Sequence, residues 1–175
     1  MKKLVAVLTA LFLLVTAVAF AENVQQVSMD QIKISAVVPE GYAFSGNYVS
    51  DILYVGNLTP SNAAAPSAMI TIAYDEEAEG RTLNEFSEAE LDSLITLFLN
   101  DTPNALVTKS QTGKGTNVLI FDTQTESESR YDIMTIWHGY QVALMVLPGE
   151  NSTALTDEQK SMIMQFLTDV TIESN

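Results

Sequence analysis

The chain has 175 residues, with 8 Lys and Arg against 22 Asp and Glu, a single His and no Cys. Without cysteine it forms no disulfide framework, thiolate nucleophile, zinc ribbon, Cys-ligated iron–sulfur cluster or lipidated N-terminal cysteine, and one histidine excludes chemistry that needs a His pair on one chain. A formal net charge of −14 repels phosphate backbones and anionic headgroups, so neither nucleic-acid binding nor peripheral membrane binding is expected, while basic or cationic partners are compatible with it.

Residues 1–21 have Lys2 and Lys3 as a basic start, an apolar stretch from Leu4 to Phe20, and Ala19-Phe20-Ala21 as a small-x-small site. They read as a bacterial-type secretory signal cleaved before Glu22. The apolar stretch is slightly short of the roughly 20 residues of a membrane span, and an uncleaved anchor is the alternative. Residues 22–175 are of a size for one globular domain. It is expected to be exported to a periplasm, a cell surface or the medium, with no membrane insertion once the signal is removed.

In chain order, IKISAVVPEGYAF alternates Ile32, Ile34, Ala36 and Val38 at a strand period until Pro39-Glu40-Gly41 turns the chain. NYVSDILYVG reads as a second strand. LTPSNAAAPS, Leu58 to Ser67, reads as a surface loop leading to a third, AMITIAY. The period then becomes helical in TLNEFSEAELDSLITLFLN, with Leu83, Phe86 or Ser87, Leu91, Leu94 and Phe98 on one side, Thr82 and Glu85 at capping-box spacing, and Pro103 beyond the end. Four strands follow: ALVTKS, TNVLIFDTQT, and a pair hinged at His138-Gly139 that would set Trp137 opposite Tyr140, Thr135 opposite Val142, Ile133 opposite Leu144 and Tyr131 opposite Val146. A closing helix has Thr156 and Gln159 as its capping box and Met162, Ile163, Phe166, Leu167 and Val170 as its stripe. The expected fold is α+β: an antiparallel sheet of about six to seven strands with two helices packed on it, in the order β-β-β-α-β-β-β-β-α.

That order, the P-E-G-Y turn at Pro39 to Tyr42, and the stretch IMTIWHGYQVALMVLPGE followed by an acidic-start helix resemble the PsbP-like superfamily. A cystatin-like α+β fold is the rival. The superfamily includes an extrinsic photosystem II subunit, a Ran-binding nuclear transport protein and many small exported bacterial proteins. The resemblance implies a non-enzymatic binding domain and supplies no catalytic motif; the absence of a cysteine after the signal departs from the lipoprotein members.

Candidate chemistry is sparse. No G-x-S-x-G elbow accompanies His138, which sits where a hairpin turn is expected. The loop DEEAEGR places Asp75, Glu77 and Glu79 at positions one, three and five of an EF-hand-like count with Gly80 at six, but Phe86 falls where the bidentate Glu belongs. These three acids are the candidate metal ligands, in a looser oxygen site or a solvated loop. TGKGTN lacks the full phosphate-loop pattern and reads as a hairpin connection. Trp137, Tyr140, Tyr42 and Tyr48 are the candidate binding aromatics, for a peptide or glycan, with cross-strand pairing and filling of the core edge as their structural alternative. The expectation is an exported non-enzymatic interaction domain, without cofactor, that contacts a protein or cell-envelope component. A small-ligand or metal-binding module is the alternative, and a hydrolase using two carboxylates is a remote one.

Overall fold

The computed structural model describes residues 24–29, 32–78, 80–126 and 129–174. The expected signal, residues 1–21, lies outside them. Ten strands and two helices follow in order: β1 (Val24–Ser28), β2 (Ile32–Val37), β3 (Tyr42–Ser50), β4 (Leu53–Pro60), β5 (Ser67–Tyr74), α1 (Glu88–Asp101), β6 (Leu106–Gln111), β7 (Asn117–Gln124), β8 (Ser129–Trp137), β9 (Tyr140–Leu147), α2 (Asp157–Asp169) and β10 (Thr171–Ser174). The fold is α+β, with a seven-stranded antiparallel sheet ordered β3-β4-β5-β9-β8-β7-β6 and a separate three-stranded sheet ordered β1-β2-β10. No helix among the described residues is long and apolar enough to cross a membrane.

β1 precedes the first expected strand and matches no expected element, and three further expectations are corrected. NYVSDILYVG is not one strand but the hairpin of β3 and β4, reversing at Asp51-Ile52, where the Ser50 hydroxyl accepts from the Ile52 amide at 3.4 Å. The second helix does not close the fold, because β10 returns to pair with β2, Ile172 opposite Ile34. The first helix starts later than Thr82: the Thr82 and Glu85 box closes only a 3-10 turn at Leu83–Glu85, and Ser87 with Glu90 forms a second box that starts α1. The Glu90 carboxylate accepts from the Ser87 amide and hydroxyl, both at 2.7 Å, which satisfies donors that an uncapped helix start would orphan.

The β8–β9 hairpin has the expected register, with Trp137, Thr135, Ile133 and Tyr131 opposite Tyr140, Val142, Leu144 and Val146. Its two turn residues, His138 at φ 47° and Gly139 at φ 81°, are both left-handed, as a type I′ turn requires. The expected box of α2 is also in place: the Thr156 amide donates to Gln159 Oε1 at 2.9 Å and the Gln159 amide to Thr156 Oγ1 at 3.2 Å. On α2 Ile163 is buried, but Met162, placed on the same stripe, is 39% exposed.

Both faces of the large sheet are used. On one, Val118, Ile120, Ile133, Leu144 and Val146 pack with Leu155 and Ile163 beneath α2, and Ile72 and Tyr140 meet Val27, Ile32 and Ile34 of the small sheet. On the other, Leu119, Phe121, Met134 and Ile136 pack beneath α1 through Leu91, Leu94, Ile95 and Phe98, with Phe98 stacked on Phe121 at 5.0 Å. The α1 layer thus covers β7 and β8, and the face of β3, β4 and β5 beyond it stays open to solvent or half-buried.

Candidate functional site

The candidate aromatics are spread over the sheet. Tyr42 and Tyr48 stand at opposite ends of β3. The Tyr42 hydroxyl donates to the Pro66 carbonyl at 3.0 Å and holds the Ser61-to-Pro66 loop, and burial pushes its pKa up. Tyr48 is 57% exposed, yet its hydroxyl donates to the Ser28 carbonyl at 2.8 Å and accepts from the Ser28 amide at 3.3 Å, fastening β1 to the large sheet. Trp137 and Tyr140 are brought together across the hairpin. Tyr140 is buried edge-on to Tyr74 at 5.2 Å, while Trp137 is half-buried with His138 edge-on at 5.6 Å.

The loop after β5 is built by contacts with the β8–β9 turn. The Asp75 amide donates to the Gly139 carbonyl at 2.8 Å, and the Gly139 amide donates to the Arg81 carbonyl at 3.0 Å. A Cβ on Gly139 would lie 3.1 Å from the Gly80 nitrogen and 3.1 Å from the Tyr74 ring, so only glycine lets the turn approach so closely. Asp75 Oδ1 accepts from the Glu77 amide at 3.0 Å and shapes the 3-10 turn Glu76–Ala78. Arg81 then reaches α1: its Nη1 donates to Glu90 at 2.7 Å and its guanidinium lies 4.5 Å over the Phe86 ring. The Ser87 hydroxyl, then the Arg81 guanidinium, hold the Glu90 carboxyl down to about 2.

Between this loop and α1 runs an open groove of about 450 Å³, within the roughly 300–1,000 Å³ range of ligand sites. Phe86, Leu94, Leu97 and Ile136 supply apolar lining, and Asp75, Glu77 and Glu90 supply carboxylates. Two of the three candidate metal ligands therefore share one groove, and the third, Glu79, lies outside the described residues. Among the described residues no three His, Asp or Glu side chains gather as a metal site. Leu97 and Glu90 were not singled out by sequence reasoning; the available signal was that Leu97 falls off the Leu91, Leu94 and Phe98 stripe and is 62% exposed.

A second space, about 70 Å³, lies between the large sheet, the small sheet and α2, lined by Ile34, Ala36, Ile70, Val142, Phe166 and Val170 among others. It falls well below a ligand site in size. Of its three threonines, Thr112 and Thr135 already use their hydroxyls, accepting from the Thr116 amide at 3.2 Å and donating to the Asn117 carbonyl at 2.7 Å. This space is a packing gap. No protein-family model matches the chain, and no curated protein matches it.

Proposed function

We propose that the chain is an exported, non-enzymatic binding domain that takes a cationic, amphipathic segment of a protein or cell-envelope component into the groove beside α1. The observation that carries this reading is the groove itself, where exposed Leu97 and half-buried Leu94 lie beside the carboxylates of Asp75 and Glu77. A lysine or arginine stem lies on the leucines while its head reaches the acids, and the net charge of −14 draws cations toward the surface. Kinship with the PsbP-like superfamily belongs to the same proposal, supported by the β8–β9 hairpin running into α2 and by the P-E-G-Y turn before β3. A small-cation or metal module is the second reading, favoured by Asp75 and Glu77 sharing the groove.

Calorimetric titration with a Lys/Leu peptide and its Glu/Leu counterpart tests the proposal. The Lys/Leu peptide is expected to bind, more weakly at high salt, and to lose about ten-fold or more in affinity on Leu97→Gln or Glu77→Lys. Equal affinity for the two peptides, or no binding of either, overturns it. A calcium-induced rise in the unfolding midpoint that Asp75→Asn abolishes moves the assignment to the second reading.

A further inference from the structure

The four neighbouring strands β3, β4, β5 and β9 contain no Asp, Glu, Lys or Arg, in a chain with 22 acids and 8 bases. β3 is the outer edge of this charge-free half, with β4 as its partner within the sheet. Tyr48, Val49 and Ile52, at 57, 65 and 56% exposure, crowd into the end of the β3–β4 hairpin. Natural sheets guard long edges with charged residues or proline, or with a bulge. The opposite edge, β6, carries Lys109, which bridges Glu88 at 2.5 Å and Asp92 at 3.6 Å on α1. β3 has only the register shift between Tyr48 and Ser50, and since the Tyr42 amide already donates to the Pro39 carbonyl at 3.1 Å, residues 43–48 are left as a regular, uncharged ladder, exposed except at half-buried Phe44.

We propose that this edge joins two copies of the chain, β3 lying antiparallel to β3 of the second copy about a two-fold axis near Ser45. Charge selects the occupant. Two chains of net charge −14 repel wherever their acids face each other, so they approach most closely where neither presents any; a cationic partner gains nothing from a charge-free edge. Geometry agrees, because an antiparallel strand is its own complement under two-fold symmetry. Centred on Ser45, the pairing sets Ala43 opposite Asn47 and Phe44 opposite Gly46, whose face is already filled by the Tyr54 ring of its own chain. A ladder of about five residues is at the small end of specific interfaces, so the dimer dissociates on dilution. It tightens as salt screens the repulsion between copies, opposite to the salt response expected of the groove.

Sedimentation of the purified protein over a concentration series tests this independently of the groove. The expected result is a monomer–dimer equilibrium that tightens with salt. Ser45→Lys, which sets two like charges across the axis, should weaken it about ten-fold or more, and Asn47→Lys should act in the same direction. Both side chains are exposed, so the unfolding midpoint in dilute solution should stay unchanged. Thr108→Lys, exposed on the opposite edge, should leave the equilibrium as it is. A protein that stays monomeric at every concentration and salt, including one that binds only an extended foreign peptide on this edge, overturns the proposal. So does a dimer broken by Thr108→Lys and indifferent to Ser45→Lys.

Discussion

A Cβ built on Gly46 would fall onto the Tyr54 hydroxyl and 2.6 Å from its Cζ, so the Tyr54 ring fills the place a side chain at position 46 would take. The relationship is reciprocated across the ladder: Gly56, directly opposite Gly46, would put its Cβ 2.8 Å from Cζ of Phe44. Two rings thus lie over two facing glycines, and Tyr54 is buried there with Tyr48 edge-on at 5.1 Å. Gly46→Ala is expected to destabilise by about 1–3 kcal/mol, the usual cost of overpacking. Gly46→Ala with Tyr54→Val should cost less than the two single changes added together. Denaturant unfolding of the three variants measures both, and additive costs would show that the ring and the glycine are uncoupled.

The β8–β9 turn makes a sharper demand. Gly139 combines φ 81° with a close approach to Gly80, so Gly139→Ala meets both backbone strain and collision, at about 1–3 kcal/mol. His138, at φ 47° and edge-on to Trp137 at 5.6 Å, asks of its backbone a residue that tolerates the left-handed region. His138→Asn keeps the turn conformation and gives up the ring contact, so it should cost less than Gly139→Ala. Thermal unfolding distinguishes the two, and a loss from His138→Asn as large as that from Gly139→Ala would show that the imidazole contacts outweigh the turn conformation.

The acid-side behaviour of Glu90 follows from its caps. Its pKa is lowered from 4.5 to about 2 in the folded chain, so the unfolded state binds the proton more readily. The stability from Glu90 is fully present above pH 4.5 and is lost as pH falls through about 2. The gap in unfolding midpoint between the parent chain and Glu90→Gln should be constant near neutrality and close between about pH 5 and pH 2. A gap that stays open at the acid end would mean that Glu90 acts through packing and not through its charge.

The 70 Å³ gap under α2 offers a stabilising change. Ala36 of β2 lines it, and valine suits a strand as well as adding volume. Ala36→Val is expected to raise stability by about 1 kcal/mol, since cavity volume costs roughly 24 cal/mol per Å³. A fall in the unfolding midpoint would show that the two added methyl groups overpack the layer instead of filling the gap.

Parts of this architecture were legible because the local signal matched the final environment. The β8–β9 register could be read from a long alternation ending in a two-residue turn with glycine, and α2 from its Thr156–Gln159 box. The β3–β4 hairpin could not, since Ser50-Asp51-Ile52 turns within a run of strand-forming residues and has neither glycine nor proline. β10 was hidden because four residues carry no periodicity and their partner, β2, is more than a hundred positions away. The groove was invisible for a related reason. It exists because Gly139 docks on Gly80 and Arg81 ties the loop to Glu90, contacts between segments that no local pattern connects. Tyr48 was legible as exposed, but its bond to Ser28 depends on how the two sheets stack.

The three-stranded sheet sets an order of events for the folding chain. β3 to β5 and β6 to β9 are meanders of neighbours and can zip locally, whereas β2 acquires its second partner only when Thr171–Ser174 arrives, with Lys114 Nζ donating to Thr171 Oγ1 at 2.5 Å as an added latch. Contacts of such high sequence separation carry the largest loop-closure cost and form late. Until then the face bearing Ile70, Ile72 and Val142 lacks part of its cover. Chaperone recognition and aggregation during synthesis should therefore centre on that face, and a nascent chain stalled before Thr171 should stay protease-sensitive through β1 and β2 after both meanders have become resistant.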